Sequence, residues 1–233
     1  MSHSVESIRL QSIHDLLGPL IKGRRLLDIG TIGHEFEARQ EIGTFYLSEF
    51  VKKAGYVKGI DILEEDVARA RAAGFEVVVG DAESFVDAEP YDVVFAGELI
   101  EHLSNPGLFL RCSIRNLKKD GVLVITTPNA FSMSRLLKCV FGLTNEPPVN
   151  PEHTCYYTPQ TLRQLSDREG FEIKRIYFSD YDYGTRGVTM KRAVMLRINR
   201  VLCDLFPQLS QSFIAVLGRP SSEGRDELSP SGV

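Results

Sequence analysis

Three residues close together in the sequence have the types and the spacing of metal ligands. On a helix, Glu98, Glu101 and His102 would present two carboxylates and an imidazole on one face. Neighbouring carboxylates repel each other unless a proton, a cation or water lies between them, and a hard divalent cation such as Mg²⁺ accepts their oxygens readily. The pattern therefore indicates a metal site, with His153 from a later loop as a fourth ligand.

Further carboxylates stand at the ends of predicted strands. Asp28, Asp61, Asp81 and Glu98 lie at, or just after, four segments rich in β-branched and other apolar residues. The carboxyl ends of parallel strands form one edge of a sheet, and ligands bind there. An acidic edge suits a ligand that has hydroxyl groups and positive charge. Alternatively, each of the three aspartates caps the helix that follows it. Capping accounts well for any one aspartate and poorly for all three together.

The alternation of strands and helices defines the fold class. Helices between strands imply parallel pairing with right-handed crossovers, so we predict an α/β protein with a doubly wound sheet. The predicted strands are 26–29, 57–60, 75–79, 91–96, 122–126, 171–179 and 212–217, and the predicted helices are 5–20, 44–54, 64–73, 106–117, 158–169 and 188–206. We expect the apolar face of the last helix to pack on the sheet, with docking on an anionic membrane or on RNA as the alternative.

Length and composition favour one soluble domain in the cytoplasm. The chain has 233 residues, 43% of them hydrophobic, and a net charge of −4, which counts against a nucleic-acid partner. We find neither a signal peptide nor an apolar run of the roughly 20 residues that span a bilayer. The four cysteines are scattered, as in a protein with reduced thiols. We assign 1–218 to a single domain, with a lid and acceptor region at about 131–157 and 180–206, and 219–233 to a disordered tail. The oligomeric state is left open.

Five segments, by their order and spacing, resemble the class I S-adenosylmethionine-dependent methyltransferases. They are LLDIGTIGH (26–34), VKGIDILEEDVARA (57–70), VVVGDAESF (77–85), YDVVFAGELIEHLSNP (91–106) and LKKDGVLVITTPN (117–129). The resemblance implies a Rossmann-like, seven-stranded sheet with strand order 3-2-1-4-5-7-6 and an antiparallel last strand. It also implies S-adenosyl-L-methionine as the cofactor.

The resemblance assigns a cofactor role to eight residues by position. Asp28, Gly30 and Gly33 would line the methionine end, and Gly97 would lie beside its amino group. Asp61 would accept two hydrogen bonds from the ribose hydroxyls, with Ile62 next to it in the site. Asp81 and the backbone of Ala82 would contact the adenine edge.

The glycine loop departs from the family pattern. Ile32 and His34 occupy the second and third glycine positions, and Gly33 falls between them. We expect a reshaped loop that still binds the cofactor, and a non-catalytic binding module is the alternative. The dinucleotide fingerprint GxGxxG is absent, which counts against an NAD-dependent dehydrogenase.

The Glu98–His102 segment resembles metal-dependent O-methyltransferases of the same superfamily, in which an ExxEH helix and a later histidine hold a divalent metal. The expected reaction is O-methylation of a small-molecule or glycan hydroxyl, with His102 and His153 as the catalytic residues that remove the proton. An RNA 2′-hydroxyl methyltransferase is the second enzyme hypothesis. If no metal binds, His102 has a structural role in a segment common to the superfamily.

Overall fold

The computed structural model describes residues 8–10, 12–33, 46–141, 152–180 and 190–220, with backbone alone for 8–9 and 190–196. Parts of the predicted lid and acceptor region, 142–151 and 181–189, lie outside the described residues. His34 and most of the predicted tail, from 221 onward, also lie outside them.

Eight strands and seven α-helices make up the described part of the chain. The strands are β1 (Ile8–Arg9), β2 (Arg25–Ile29), β3 (Tyr56–Asp61), β4 (Val77–Val79), β5 (Tyr91–Gly97), β6 (Leu117–Pro128), β7 (Glu172–Ser179) and β8 (Ser212–Gly218). The helices are α1 (Ile13–Ile21), α2 (Tyr46–Phe50), α3 (Glu64–Ala72), α4 (Pro106–Asn116), α5 (Met133–Val140), α6 (Pro159–Arg168) and α7 (Met190–Leu205). Short 3₁₀ turns cover Ile100–His102 and Pro207–Leu209.

All eight strands form one sheet with the order β1-β7-β8-β6-β5-β2-β3-β4. The neighbouring strands β6, β5, β2, β3 and β4 are all parallel to one another. Strand β8, in contrast, runs antiparallel to both β6 and β7. Without β1, this is the predicted seven-stranded order with its antiparallel last strand, so the predicted fold is confirmed.

The first predicted helix is partly wrong. Residues 8–9 pair in parallel with β7 as an extra edge strand, and helix α1 begins only at Ile13. The side chain of Ser12 accepts a hydrogen bond from the backbone N–H of His14 and so caps this helix. The apolar spacing over 5–20 therefore combined two elements, a strand and a helix.

The hydrophobic core lies on both faces of the sheet. Leu26 and Leu27 are adjacent on β2, so their side chains point to opposite faces and join different apolar clusters. Helices α4 and α6 cover one cluster, whereas α1, α2 and α3 cover the other. Burial on both faces explains why β2 and β5 read as continuous apolar segments in the sequence.

Two helices at one end of the sheet leave apolar side chains exposed. Helix α5, which we did not predict, has no buried residue. On α7 the expected packing of the apolar face on the sheet is wrong for Ile198, Val201 and Leu205, which are exposed, although Cys203 is buried. Among the described residues, no helix is both long and apolar enough to cross a membrane.

A buried asparagine joins the segments next to these helices. The Asn129 side chain donates hydrogen bonds to the carbonyls of Gln208 (2.8 Å) and Ser210 (2.9 Å). Its Oδ1 accepts one from the N–H of Phe131 at 3.1 Å. One amide group therefore holds together the chain that leaves β6 and the chain that enters β8.

Replacing Asn129 with alanine should lower the free energy of unfolding by about 2–4 kcal/mol, because buried backbone groups would lose their partners. Asn199→Ala, on the half-buried surface of α7, is the control and should change it by less than about 0.5 kcal/mol. Urea unfolding of both variants measures the difference. Equal stability of the two variants would contradict the role assigned to Asn129.

Candidate functional site

A cavity of about 1420 Å³ lies at the carboxyl ends of the parallel strands. Every residue that the sequence analysis placed in a site lines it, namely Asp28, Gly30, Gly33, Asp61, Ile62, Asp81, Ala82, Gly97, Glu98, Glu101, His102 and His153. The predicted cofactor and metal residues therefore share one space, and the role of each residue stays a prediction.

The glycine loop after β2 turns at two positions with positive φ. Gly30 has φ +70° and Gly33 has φ +58°, values that favour glycine. A Cβ at Gly30 would also lie 3.0 Å from Leu99 Cδ1. Ile32, at the second glycine position of the family pattern, is fully buried in the core. The departure from the pattern therefore adds core packing, because this side chain points away from the cavity.

Asp61, at the end of β3, holds the glycine loop in place. Its Oδ2 accepts hydrogen bonds from the N–H groups of Ile32 (2.9 Å) and Gly33 (3.4 Å), and its Oδ1 accepts one from Leu63 (3.1 Å). A carboxylate has about four lone-pair sites. Three amides therefore leave Asp61 capacity for one further donor from a ligand in the cavity.

Asp28 is a buried carboxyl group on β2. Its pKa is raised to about 7, chiefly by burial; a hydrogen bond opposes this rise, and the nearby charge of Asp61 adds to it. That bond is donated by the Thr31 hydroxyl, 2.5 Å from Asp28 Oδ2. The floor of the cavity thus contains a carboxyl group that ionises only near neutral pH.

Two exposed residues lie on the far side of the cavity. Ile62 is 66% exposed although it is apolar. Asp81 is also exposed, and its Oδ1 accepts a hydrogen bond from the N–H of Glu83 at 2.8 Å. This bond stabilises the turn at 82–84, and the described residues between Asp81 and β5 contain no helix, so Asp81 does not have the helix-capping role that we considered as the alternative.

The predicted helix carrying Glu98, Glu101 and His102 is wrong. Glu98 precedes the 3₁₀ turn and has φ +50°, which makes it the one non-glycine residue with positive φ among the described residues. Its N–H donates to the carbonyl and the hydroxyl of Thr126, both at 3.0 Å. Glu98 therefore does not share a helical face with Glu101 and His102.

Three of the four predicted metal ligands do come together. Glu101, His102 and His153 each offer one ligand atom, and these atoms all lie within 4.8 Å of one another. Glu98 is not part of this group. Thr154 holds the two chain segments together, since its N–H and its hydroxyl both donate to the Glu101 carbonyl, at 2.8 and 2.9 Å.

The Glu101 carboxyl group is fully buried, and only one of its oxygens is hydrogen-bonded. Oε2 accepts from the Thr127 hydroxyl at 3.0 Å, whereas Oε1 is buried without a hydrogen-bond partner. Burial, followed by the charge of Glu98, raises the pKa of Glu101 to about 8. A cation at this point would satisfy the unbonded oxygen, so the donor set fits a divalent metal.

Two aromatic contacts and one arginine form the wall beside this group. The rings of His102 and His153 lie edge to face with centroids 4.6 Å apart, and Tyr156 lies 5.6 Å beyond His153. The guanidinium of Arg135, on α5, lies 4.2 Å from the centre of the Tyr156 ring. We had placed Tyr156 in the acceptor region, but Arg135 lies on the helix that we did not predict.

The opposite wall comes from the N-terminal part of the chain. Ser12, His14 and Tyr46 line the cavity, and the ring centroids of His14 and Tyr46 are 5.4 Å apart. None of these three residues belongs to a motif, so the sequence alone gives no signal for them. Their contact requires α1 and α2 to meet at the carboxyl edge of the sheet.

The strand order, the antiparallel last strand and the cavity at the strand ends define a Rossmann-like methyltransferase fold. The family model described as "Methyltransferase domain" matches residues 2–176, about three quarters of the sequence. This chain therefore belongs to the methyltransferase-domain family.

Curated relatives agree with that assignment, and a solved structure shares the fold. The chain is 25% identical over 216 residues to a mitochondrial "Ubiquinone biosynthesis O-methyltransferase" of Rattus norvegicus, covering 82% of this chain but only 61% of the rat protein. It is 29% identical over 196 residues to a "Ubiquinone biosynthesis O-methyltransferase" of Azorhizobium caulinodans, covering 75% of this chain and 73% of that protein. Magnesium protoporphyrin IX methyltransferase from Synechocystis PCC 6803 with bound SAH has the same fold, with a TM-score of 0.56, 14% identity and coverage of 88% and 78%.

Asp28→Asn should flatten the dependence of stability on pH. The folded protein holds the Asp28 proton up to about pH 7, whereas the unfolded chain releases it near 3.8. Stability should therefore fall as pH rises between these values, by up to about 1.4 kcal/mol per pH unit from this group. Denaturant unfolding across that range measures the slope.

Asp120→Asn removes an exposed carboxylate and is the matched control, which should keep the slope of the unchanged protein. If both variants keep the same slope, Asp28 does not titrate near neutral pH.

Proposed function

We propose that this chain transfers a methyl group from S-adenosyl-L-methionine to a hydroxyl group of a small-molecule or glycan acceptor. The observation that carries the proposal is the shared cavity, in which Glu101, His102 and His153 converge beside the Asp61-bound glycine loop. The names of the relatives, which are O-methyltransferases, support a hydroxyl acceptor.

The cofactor would bind across the ends of β2, β3 and β5. When bound, it supplies a methyl group on a positively charged sulfonium. Asp61 already accepts hydrogen bonds from three backbone amides, and it would accept a fourth from a ribose hydroxyl. Gly30 and Gly33 leave space for the methionine part, and Gly97 lies at the end of the neighbouring strand.

The adenine would lie near Ile62 and Asp81. A flat purine covers apolar surface, and Ile62 offers an exposed aliphatic side chain at the cavity wall. Asp81 and the backbone of Ala82 would face its polar edge. These contacts would orient the ring, because hydrophobic and polar groups lie on different sides of it.

A divalent cation would be held by Glu101, His102 and His153. One carboxylate and two imidazoles suit Mn²⁺, Fe²⁺ or Zn²⁺ better than the predicted Mg²⁺, which prefers oxygen ligands. A cation bound there would lower the pKa of an acceptor hydroxyl. Glu98, outside the group of three, would add negative charge to the cavity and is the fourth ligand only if its side chain moves.

Without a cation, removal of the acceptor proton is assigned to His102 or His153, because a neutral imidazole accepts a proton near neutral pH. With a cation bound, both imidazoles would be engaged as ligands, and the lowered pKa of the acceptor hydroxyl would take the place of a histidine base. The edge-to-face contact of the two rings and the stacking of Tyr156 with Arg135 hold this wall in position and limit the access of water.

A cytoplasmic location is part of the proposal. All four cysteines are free thiols, two of them buried, as expected where thiols stay reduced.

Binding of S-adenosylhomocysteine tests the cofactor site. The unchanged protein should bind it, and Asp61→Asn should weaken binding about tenfold to a hundredfold, because hydrogen bonds to a charged acceptor are lost. Ile62→Glu, at an exposed position, should also weaken binding without affecting the fold. Calorimetry measures the affinity of the unchanged protein and of both variants for S-adenosylhomocysteine. Asp66→Asn on α3 is the control and should keep full affinity. No binding by the unchanged protein at about 1 mM would refute methyl transfer and favour a non-catalytic module.

Mn²⁺ binding, measured by electron paramagnetic resonance without cofactor, tests the metal site separately. Glu101→Gln should weaken Mn²⁺ binding by at least about tenfold, because the buried side chain can no longer ionise when the cation binds. Glu64→Gln, on α3, is the matched control and should bind as the unchanged protein does. Glu98→Gln distinguishes three protein ligands from four. A protein that binds no Mn²⁺, or equal binding by Glu101→Gln, would exclude the metal.

A further inference from the structure

The segment from Phe131 to Phe141 has an apolar surface that the fold does not cover. Phe131, Leu136, Leu137, Val140 and Phe141 are all exposed, and the last two are 77% and 73% exposed. Four of them, from Leu136 to Phe141, lie on or directly after α5, and their spacing places them on one side of the helix. Large apolar side chains at this density indicate a surface that contacts something other than water.

A second exposed apolar surface lies on and after α7. Ile198, Val201 and Leu205 follow each other at helical spacing, and Phe206 comes directly after the helix. The Asn129 side chain bonds the chain just before α5 to Gln208 and Ser210, just after α7. The two surfaces therefore lie at the same end of the sheet. Together they are called the apolar end.

The charges of the two segments differ from those of the whole chain. Residues 129–141 contain Arg135 and Lys138 and no acidic residue, and residues 190–205 contain four basic residues and one acidic residue. The whole chain has a net charge of −4. Basic residues beside exposed aliphatic and aromatic side chains are typical of helices that lie in the interface of an anionic membrane.

The apolar end is also next to the mouth of the cavity. Ser134, Arg135 and Lys138 of α5 line the cavity, while Leu136, Leu137 and Val140 of the same helix are exposed. A surface that binds the apolar face of α5 would therefore lie beside the opening through which an acceptor enters.

We propose that the apolar end docks on the surface of an anionic lipid bilayer, with α5 and α7 lying in the interface and the cavity mouth beside the membrane. Six of the nine exposed apolar residues of the apolar end are aliphatic and have no flat face for stacking on bases, which favours a bilayer over RNA. Docking of this kind needs no membrane-crossing helix, and it does not depend on methyl transfer.

Vesicle flotation and fluorescence test the proposal. The protein should float with vesicles of phosphatidylcholine and phosphatidylglycerol, less with phosphatidylcholine alone, and less again at high salt. The double variant Val140→Ser, Phe141→Ser should bind about tenfold more weakly or worse. Its matched control, Val51→Ser with Leu108→Ser, removes two exposed apolar side chains elsewhere and should bind as before.

The chain contains no tryptophan, so a single introduced tryptophan reports on its own position. The emission of Phe141→Trp should shift to shorter wavelength when anionic vesicles are added, whereas that of Leu108→Trp should not shift. Absence of vesicle binding, or equal binding by the serine double variant, would overturn the proposal. It would also be overturned if light scattering shows a dimer that the serine double variant converts to a monomer, because the apolar end would then bind a second copy.

Neither assay contains the methyl donor. Loss of vesicle binding and loss of cofactor binding are therefore separate results, and either can occur without the other.

Discussion

The hydrogen bonds from the glycine loop to Asp61 are the contacts on which the site depends. The parallel register places Ile29 of β2 beside Ile60 of β3, so the two chains leave the sheet at the same level. The carboxylate at the end of β3 then accepts the N–H groups of Ile32 and Gly33, which have no strand partner. One charged group thus determines the shape of the loop and the boundary of the cavity.

The acidic side chains of the cavity lie in two different environments. Asp28 and Glu101 are buried, and burial raises the pKa of each, to about 7 and about 8. Asp61, in contrast, has amide donors for both of its oxygens. A cationic ligand would stabilise the ionised forms of the buried pair, which explains physically how an acidic cavity can favour a sulfonium or a divalent metal.

The sheet could be predicted from sequence because burial on both faces leaves a strong signal. Each inner strand is a short apolar segment that ends in a polar residue or glycine, and the helices between strands fix the parallel direction. The strand ends, and with them Asp28, Asp61 and Asp81, could be located for the same reason. The two-residue β1 gave no such signal, since its apolar residue continues the spacing of helix α1.

Other parts of the site depend on tertiary contacts that a local pattern does not reveal. The spacing of Glu98, Glu101 and His102 fits a helical face, yet the hydrogen bonds of Glu98 to Thr126 require a different backbone. His153 was proposed as a ligand from its residue type and its place in a later loop, whereas in the structure the hydrogen bonds of Thr154 to Glu101 bring it there. The positions of Arg135 and Tyr46 follow from how helices pack, so no motif could have identified them.

Glu98 illustrates a conflict between folding and charge placement. A non-glycine residue in the left-handed region costs roughly 1–2 kcal/mol, and its neighbour Gly97 adds no side chain that could hold the turn. Glycine at position 98 would relieve the strain. An engineering programme that ranked substitutions by thermostability alone would therefore select that glycine, and the stabilised protein would lack one of the acidic side chains that line the cavity.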